Sequence, residues 1–84
     1  MTRIYVGNLS SFTTEIHLKP LFEQFGKVSR LGILQEKSGR SRGFGFVLMS
    51  NDREGQNAIL NLNGRAVNGR PLDVQEALPP ASTA

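Results

Sequence analysis

The sequence predicts an α+β fold of the ferredoxin-like type, a split βαβ sandwich in which two helices cover one face of a four-stranded antiparallel sheet. Two kinds of pattern support this fold. Four short runs are rich in β-branched and aromatic residues with a period of two, and two longer stretches space their apolar residues three and four apart. The runs and stretches alternate in the order β-α-β-β-α-β. A length of 84 residues suits one domain of this kind.

The first strand and helix are predicted from residues 3–26. The run RIYVGNL, residues 3–9, reads as a strand, and TTEIHLKPLFEQFG, residues 13–26, reads as a helix with Thr13 or Thr14 as its N-cap. Pro20 lies past the first turn, where it removes a backbone hydrogen bond, so we expect a kink there or regular helix only from about Pro20. The apolar positions of this helix are Ile16, Leu18, Leu21, Phe22 and Phe25.

The second half of the chain is predicted to supply the remaining three strands and a helix. Asn51 followed by Glu54 resembles a capping box, and Asn68-Gly69 is a signal for a short hairpin before the last strand. The segments are the strand VSRLGILQ (28–35), the polar loop EKSGRS (36–41), the strand RGFGFVLM (42–49), the helix DREGQNAILNLN (52–63) and the strand RPLDV (70–74).

Side-chain alternation on the third strand decides where its aromatic residues point. The predicted core is filled by aliphatic residues of the four strands: Ile4, Val6, Leu31, Ile33, Val47, Met49, Leu72 and Val74. Because the helices cover only one face, this core directs Phe44 and Phe46 to the uncovered face, while Gly43 and Gly45 leave room for helix side chains inside. Tyr5 adds a third ring if the first and third strands are neighbours. The opposite register would instead bury both phenylalanines.

The charge distribution supports a binding role for the uncovered face. The net charge is +3 and the pI is about 10.0. Between residues 24 and 50 the only acidic residue is Glu36, and the basic residues are Lys27, Arg30, Lys37, Arg40 and Arg42. Such a segment is either a solvated face or a footprint for phosphates. Exposed rings beside arginines favour the second interpretation, because rings stack on unpaired bases while cations contact phosphates.

Composition argues against several other classes of protein. The chain has no cysteine and one histidine, His17, so we expect no disulfide, no metal site and no cofactor. Clustered carboxylates or a paired nucleophile are also missing, so we expect no enzyme and no small-molecule substrate. There is no apolar run of about 18 residues and no secretory signal, so we expect no membrane span and a cytoplasmic location.

Two motifs resemble the RNA-recognition motif family. IYVGNL, residues 4–9, and RGFGFVLM, residues 42–49, are similar to its hexapeptide and octapeptide. The octapeptide matches the pattern K/R-G-F/Y-G/A-F-V-x-F/Y at six of its seven specified positions, with Met49 as the exception. LFEQFG, residues 21–26, and NLNGRAVNGRPLDV, residues 61–74, also resemble the family, so that the likeness covers residues 2–77. Among family members the chain looks most like small single-motif proteins of bacteria, including cyanobacteria.

The resemblance implies roles for eight residues. Tyr5 and Phe44 would each stack on a base, Phe46 would contact sugars and Arg42 would pair with a phosphate. The others are two basic residues in the loop that closes over RNA and two polar residues at base edges: Lys37 and Arg40, and Asn8 and Gln75. The resemblance therefore implies a post-transcriptional regulator that binds single-stranded RNA, with single-stranded DNA as a further ligand.

Departures from the family pattern leave one alternative function open. Asp73 lies where a basic or polar residue is common, and residues 78–84, predicted as a flexible tail after a domain of residues 1–77, contain no basic residue. Both features predict weaker or narrower binding, and two or three stacked bases with a few screened phosphate contacts predict a Kd of about 1 to tens of micromolar. They also leave room for a protein-interaction or homodimerisation module on the same fold, although we expect a monomer.

Overall fold

The computed structural model describes residues 1–35 and 41–77, with backbone only for Gln35, Ser41 and Arg42. The predicted fold is confirmed. The elements are β1 (Thr2–Gly7), α1 (Glu15–Glu23), β2 (Val28–Gln35), β3 (Ser41–Met49), α2 (Asp52–Leu62), β4 (Ala66–Val67), β5 (Arg70–Pro71) and β6 (Asp73–Glu76). Neither of the helices in these ranges is long and apolar enough to span a bilayer. The predicted tail, residues 78–84, lies outside the described residues, so the boundary at residue 77 stays a prediction.

The four long strands form one antiparallel sheet in the order β2-β3-β1-β6. β1 and β3 are therefore the two central strands, as the placement of Tyr5 beside the third strand requires. The edge strand β2 has register shifts between Val28 and Arg30 and between Ile33 and Gln35. β4 and β5 form a separate two-stranded ribbon. Its turn uses Asn68 and Gly69, both with positive φ (52° and 82°), which confirms the predicted hairpin.

The core lies between the sheet and the helices, where the aliphatic residues of the strands were predicted. Seven of the eight predicted strand residues are buried, and Leu31 packs against the core while half-buried. The helices contribute Leu18, Phe22, Ala58 and Leu62. The sheet thus has one packed face and one face without helices, so alternation sends every second side chain to the latter.

Helix α1 corrects two sequence-based expectations. Helix α1 runs from Glu15 to Glu23 with Pro20 inside it, so the expectation of regular helix only from Pro20 was wrong, while a kink at Pro20 stays a prediction. Pro20 cannot donate the hydrogen bond that would reach the carbonyl of Ile16. Ile16 itself is 82% exposed, so this turn of the helix lies at the surface. The same exposure shows that Ile16 does not belong to the buried stripe. Thr14 is the N-cap, and its backbone N–H donates to Nδ1 of His17 over 3.1 Å.

Helix α2 begins at the predicted cap and packs closely on β1. Asn51 Oδ1 accepts a hydrogen bond from the backbone N–H of Glu54 over 3.0 Å. Gly55 is buried, and a β-carbon added there would lie 2.6 Å from Cβ of Thr2. The glycine is therefore what lets α2 approach β1. Beyond the helix, Asn63 Oδ1 accepts a hydrogen bond from the backbone N–H of Val74 and so ties the helix end to β6.

Gly43 and Gly45 were expected to leave room for helix side chains, but the atoms nearest to them belong to the backbone of neighbouring segments. A β-carbon on Gly45 would collide with the backbone of β2, where the carbonyl of Gly32 and, at 3.0 Å, Cα of Ile33 lie. Gly43 has a φ of 88°, which disfavours other residues, and its carbonyl accepts a hydrogen bond from the backbone N–H of Leu9. Both glycines thus shape β3 and its partners.

Candidate nucleic-acid interface

The side chains on the uncovered face of the sheet, here called the outer face, lie in three cross-strand rows. The middle row, given by the strand register, is Gln75, Tyr5, Phe46 and Gly32 from β6 to β2. On one side Asp73 pairs with Gly7, and Phe44 lies next along β3. On the other side Leu48 lies between Arg3 and Arg30. The predicted direction of Tyr5, Phe44 and Phe46 is confirmed, and the opposite register is wrong because Val47 and Met49 are buried.

The rings of Tyr5 and Phe44 form a pair, and Phe46 lies across from Tyr5 on the neighbouring strand. The ring centroids of Tyr5 and Phe44 are 6.1 Å apart with an angle of 30° between the ring planes. Tyr5 is 36% exposed, and Phe44 and Phe46 are half-buried. Two rings on neighbouring strands therefore offer adjacent surfaces on which flat groups can stack.

Two glycines allow the rings to lie against the sheet. A β-carbon on Gly7 would stand 2.7 Å from Cζ of Tyr5, and one on Gly32 would stand 2.9 Å from Cε1 of Phe46. Each ring thus covers a glycine of the outer face. Neither glycine was assigned a role from the sequence, although Gly7 lies two residues after Tyr5 on the same strand and so shares its face.

The end of the outer face at the start of β1 is basic. Arg3 and Arg30 flank Leu48 and line one open cleft of about 410 Å³ together with all three rings. Leu34, which is 41% exposed, lines the same cleft from β2. Arg3 was not among the predicted site residues, although it lies two residues before Tyr5 and so on the same face. The cleft joins aromatic, aliphatic and cationic groups, as an interface for nucleotides requires.

The other margin, along β6, is polar and acidic. Gln75 is exposed, and its Nε2 donates to Oδ1 of Asp73 over 2.8 Å. Asn8 follows β1 with a φ of 59°, and both ends of its side-chain amide are bonded within the protein. Its Nδ2 donates to the carbonyl of Pro71 and its Oδ1 accepts from Arg70, each over 2.7 Å. This geometry gives Asn8 a structural role; contact with a base stays a prediction for Asn8 and Gln75.

Three predicted site residues cannot be placed on this surface. Lys37 and Arg40 lie outside the described residues, and only the backbone of Arg42 is described, within β3. Their roles stay predictions. Within the described ranges, no group of three or more His, Cys, Asp or Glu side chains could hold a metal ion.

Comparison with known proteins decides the family. The family model described as RNA recognition motif matches residues 4–73, which include both rings of the Tyr5–Phe44 pair. The chain belongs to the RNA recognition motif family. This membership confirms the predicted family and, with it, a single-stranded RNA-binding domain that is not an enzyme.

Relatives and solved structures agree with this RNA recognition motif assignment. The chain is 46% identical over 76 residues to the chloroplastic 29 kDa ribonucleoprotein of Arabidopsis thaliana, covering 89% of this chain but only 22% of the plant protein. The crystal structure of RNA binding protein PG1 superposes with a TM-score of 0.89 at 40% identity, covering 94% of this chain and 96% of that one. The Sxl-lethal protein/RNA complex superposes with a TM-score of 0.84 at 37% identity, covering 90% and 47%. The plant relative is chloroplastic, so it gives no support to the predicted bacterial likeness.

Proposed function

We propose that the outer face of this RNA recognition motif binds single-stranded RNA by stacking one base on Tyr5 and a neighbouring base on Phe44. The observation that carries the proposal is the pair of tilted rings, 6.1 Å apart, on the face that the helices leave open. Phe46 lies between its cross-strand partners Tyr5 of β1 and Gly32 of β2. In this proposal it contacts sugars. Stacking needs only the flat face of a base, so unpaired strands bind and paired ones do not.

Phosphates are held by the cations around the rings. Arg3 and Arg30 line the cleft beside Leu48, and the family resemblance adds Arg42, Lys37 and Arg40. If about three of these neutralise phosphates, log K falls with log[salt] at a slope of about −2, since each contact with a single strand contributes about −0.7. Two or three stacks of about 1–3 kcal/mol each, with screened phosphate contacts, give a Kd of about 1 to tens of micromolar.

Removing two rings tests the proposal. The double variant Phe44→Ala, Phe46→Ala loses the Phe44 stack of about 1–3 kcal/mol together with the sugar contact of Phe46, which raises the Kd by about 5-fold or more. The measurement is fluorescence anisotropy with a labelled single-stranded RNA oligomer, and circular dichroism checks that the variant stays folded. The matched control is Phe12→Ala, because Phe12 is 79% exposed and is absent from the residues that line the cleft. Unchanged affinity of the folded double variant would falsify the stacking surface.

Two finer features of the proposal concern partners. Single-stranded DNA of the same sequence is expected to bind as well, because stacking does not distinguish the two sugars; the same anisotropy assay compares them. We expect a monomer, and sedimentation with and without RNA tests it, since a dimer that RNA does not disturb would favour the interaction module. A cytoplasmic location and a role in post-transcriptional regulation stay predictions, because the domain matches only 22% of the plant relative.

A further inference from the structure

Asp73 places a carboxylate beside the ring of Tyr5, on a face that otherwise suits polyanions. The cross-strand partner of Asp73 is Gly7, and the ring of Tyr5 lies over Gly7. The cross-strand partner of Tyr5 itself is Gln75. Asp73 and Gln75 therefore border the Tyr5 ring along β6, and the edge of a base stacked on that ring faces them.

The hydrogen bond between these two side chains fixes the direction of the amide. Nε2 of Gln75 lies 2.8 Å from Oδ1 of Asp73. An ionised carboxylate only accepts hydrogen bonds, so the amide nitrogen must be the atom that faces Asp73. Oε1 of Gln75 is thereby turned away from Asp73, as a second acceptor on the same margin.

The carboxylate has no ion-pair partner among the side chains described in residues 1–34 and 43–77. Its negative charge is therefore not neutralised by a described cation and repels phosphate. Asp73 must then serve this face through contact with another part of the nucleotide. With most of its lone pairs unused by Gln75, Asp73 can accept hydrogen bonds from a base. Among bases, the amino group of cytosine is a donor that Asp and Glu accept, whereas the corresponding atom of uracil is a carbonyl oxygen, which a carboxylate repels.

We propose that Asp73 and Gln75 form an acceptor margin that makes the Tyr5 position select bases with an exocyclic amino group, and cytosine over uracil among the pyrimidines. The inference rests on the proposed RNA binding and assigns its base preference. Asp73 contacts the base directly, and it also positions the amide of Gln75.

Cytosine and uracil hexamers test the margin, because the two bases have nearly the same size and differ in the groups at this edge. The protein is titrated into labelled C6 and U6 RNA, and the ratio of the two Kd values is measured by anisotropy. We expect C6 to bind about tenfold more tightly than U6. In Asp73→Asn the ratio falls below about twofold, while the affinity for U6 stays the same or rises because a repulsive charge is lost.

The matched control is Glu76→Gln, which removes the same charge from the same strand on the opposite face. Glu76 pairs with the buried Ile4 across the strands, and its Oε1 accepts a hydrogen bond from Gln56 of α2. We expect its C6 to U6 ratio to equal that of the unchanged protein. Equal binding of C6 and U6 by the unchanged protein, or a ratio that survives Asp73→Asn, overturns the margin and leaves RNA binding intact. Failure to bind either hexamer overturns the proposed function and the margin together.

Discussion

Replacing Gly7 with alanine tests whether the Tyr5 ring must lie against the sheet to bind a base. The β-carbon of the new residue would stand 2.7 Å from Cζ and 2.8 Å from Cε2 of the ring. Carbon atoms in contact prefer about 3.5–4.0 Å, so the ring must lift or swing by about 1 Å. The substitution therefore moves a stacking surface without removing any atom of it.

The expected loss is at most one stack. A stack is worth about 1–3 kcal/mol, so Gly7→Ala raises the Kd for single-stranded RNA by up to about 5-fold to 150-fold. The new contact costs the folded state little stability, because Tyr5 is 36% exposed and its ring can move toward solvent. Gly7 also has no positive φ, so the backbone accepts alanine, and the stiffer unfolded chain stabilises the fold by about 0.4–1 kcal/mol. Binding and stability are thus expected to move in opposite directions.

A double-mutant cycle measures whether the effect passes through Tyr5. Kd values are determined by anisotropy for the unchanged protein, Gly7→Ala, Tyr5→Ala and the double variant, and urea unfolding gives the stability of each. If Gly7 acts by placing the ring, alanine at position 7 has no further effect once Tyr5 is alanine. Gly7 does not act through the ring if Gly7→Ala weakens binding equally with Tyr5 present and with Tyr5 replaced by alanine, or if the single variant Gly7→Ala binds as tightly as the unchanged protein.

Two further predictions concern charge and packing. Arg3→Ala and Arg30→Ala should each make the slope of log K against log[salt] shallower by about 0.7. The control Arg53→Ala, at an exposed position of α2, should leave the slope unchanged. If the slopes of the Arg3 and Arg30 variants match that of the control, neither arginine contacts phosphate. Gly55→Ala should destabilise the domain by about 1–3 kcal/mol in urea, because its β-carbon would lie 2.6 Å from Cβ of Thr2, and an unchanged midpoint would contradict the close approach of α2 to β1.

Most of the fold and the direction of the aromatic side chains could be predicted from the alternation of apolar residues along the strands. On β3, burial of Val47 and Met49 leaves Phe44 and Phe46 only the outer face, and a period of two is readable from letters alone. The position of Tyr5 beside them needed the strand order as well, which the β-α-β-β-α-β pattern supplies. Fold, ring direction and hairpin turn were therefore accessible from the sequence.

Features that depend on distances between elements were not accessible. Gly45 is required by the backbone of β2, and nothing in its spacing separates that cause from contact with a helix. The spacing of Ile16 fits the apolar stripe of the helix, but Ile16 lies in the first turn of α1 and is exposed. Spacing alone does not show which residues of a first turn the rest of the fold covers. The hydrogen bond between Gln75 and Asp73 could not be predicted either, because side chains two residues apart on a strand share a face without having to be in contact.

The register shifts of β2 change what this edge of the sheet offers to another strand. An edge strand exposes unpaired backbone groups that can template a further strand from another molecule. In β2 the shifts near both ends leave regular pairing with β3 only over residues 30–33, about 13 Å of straight backbone. Such irregularity makes an edge strand a poorer template, so we expect β2 to disfavour edge-to-edge pairing.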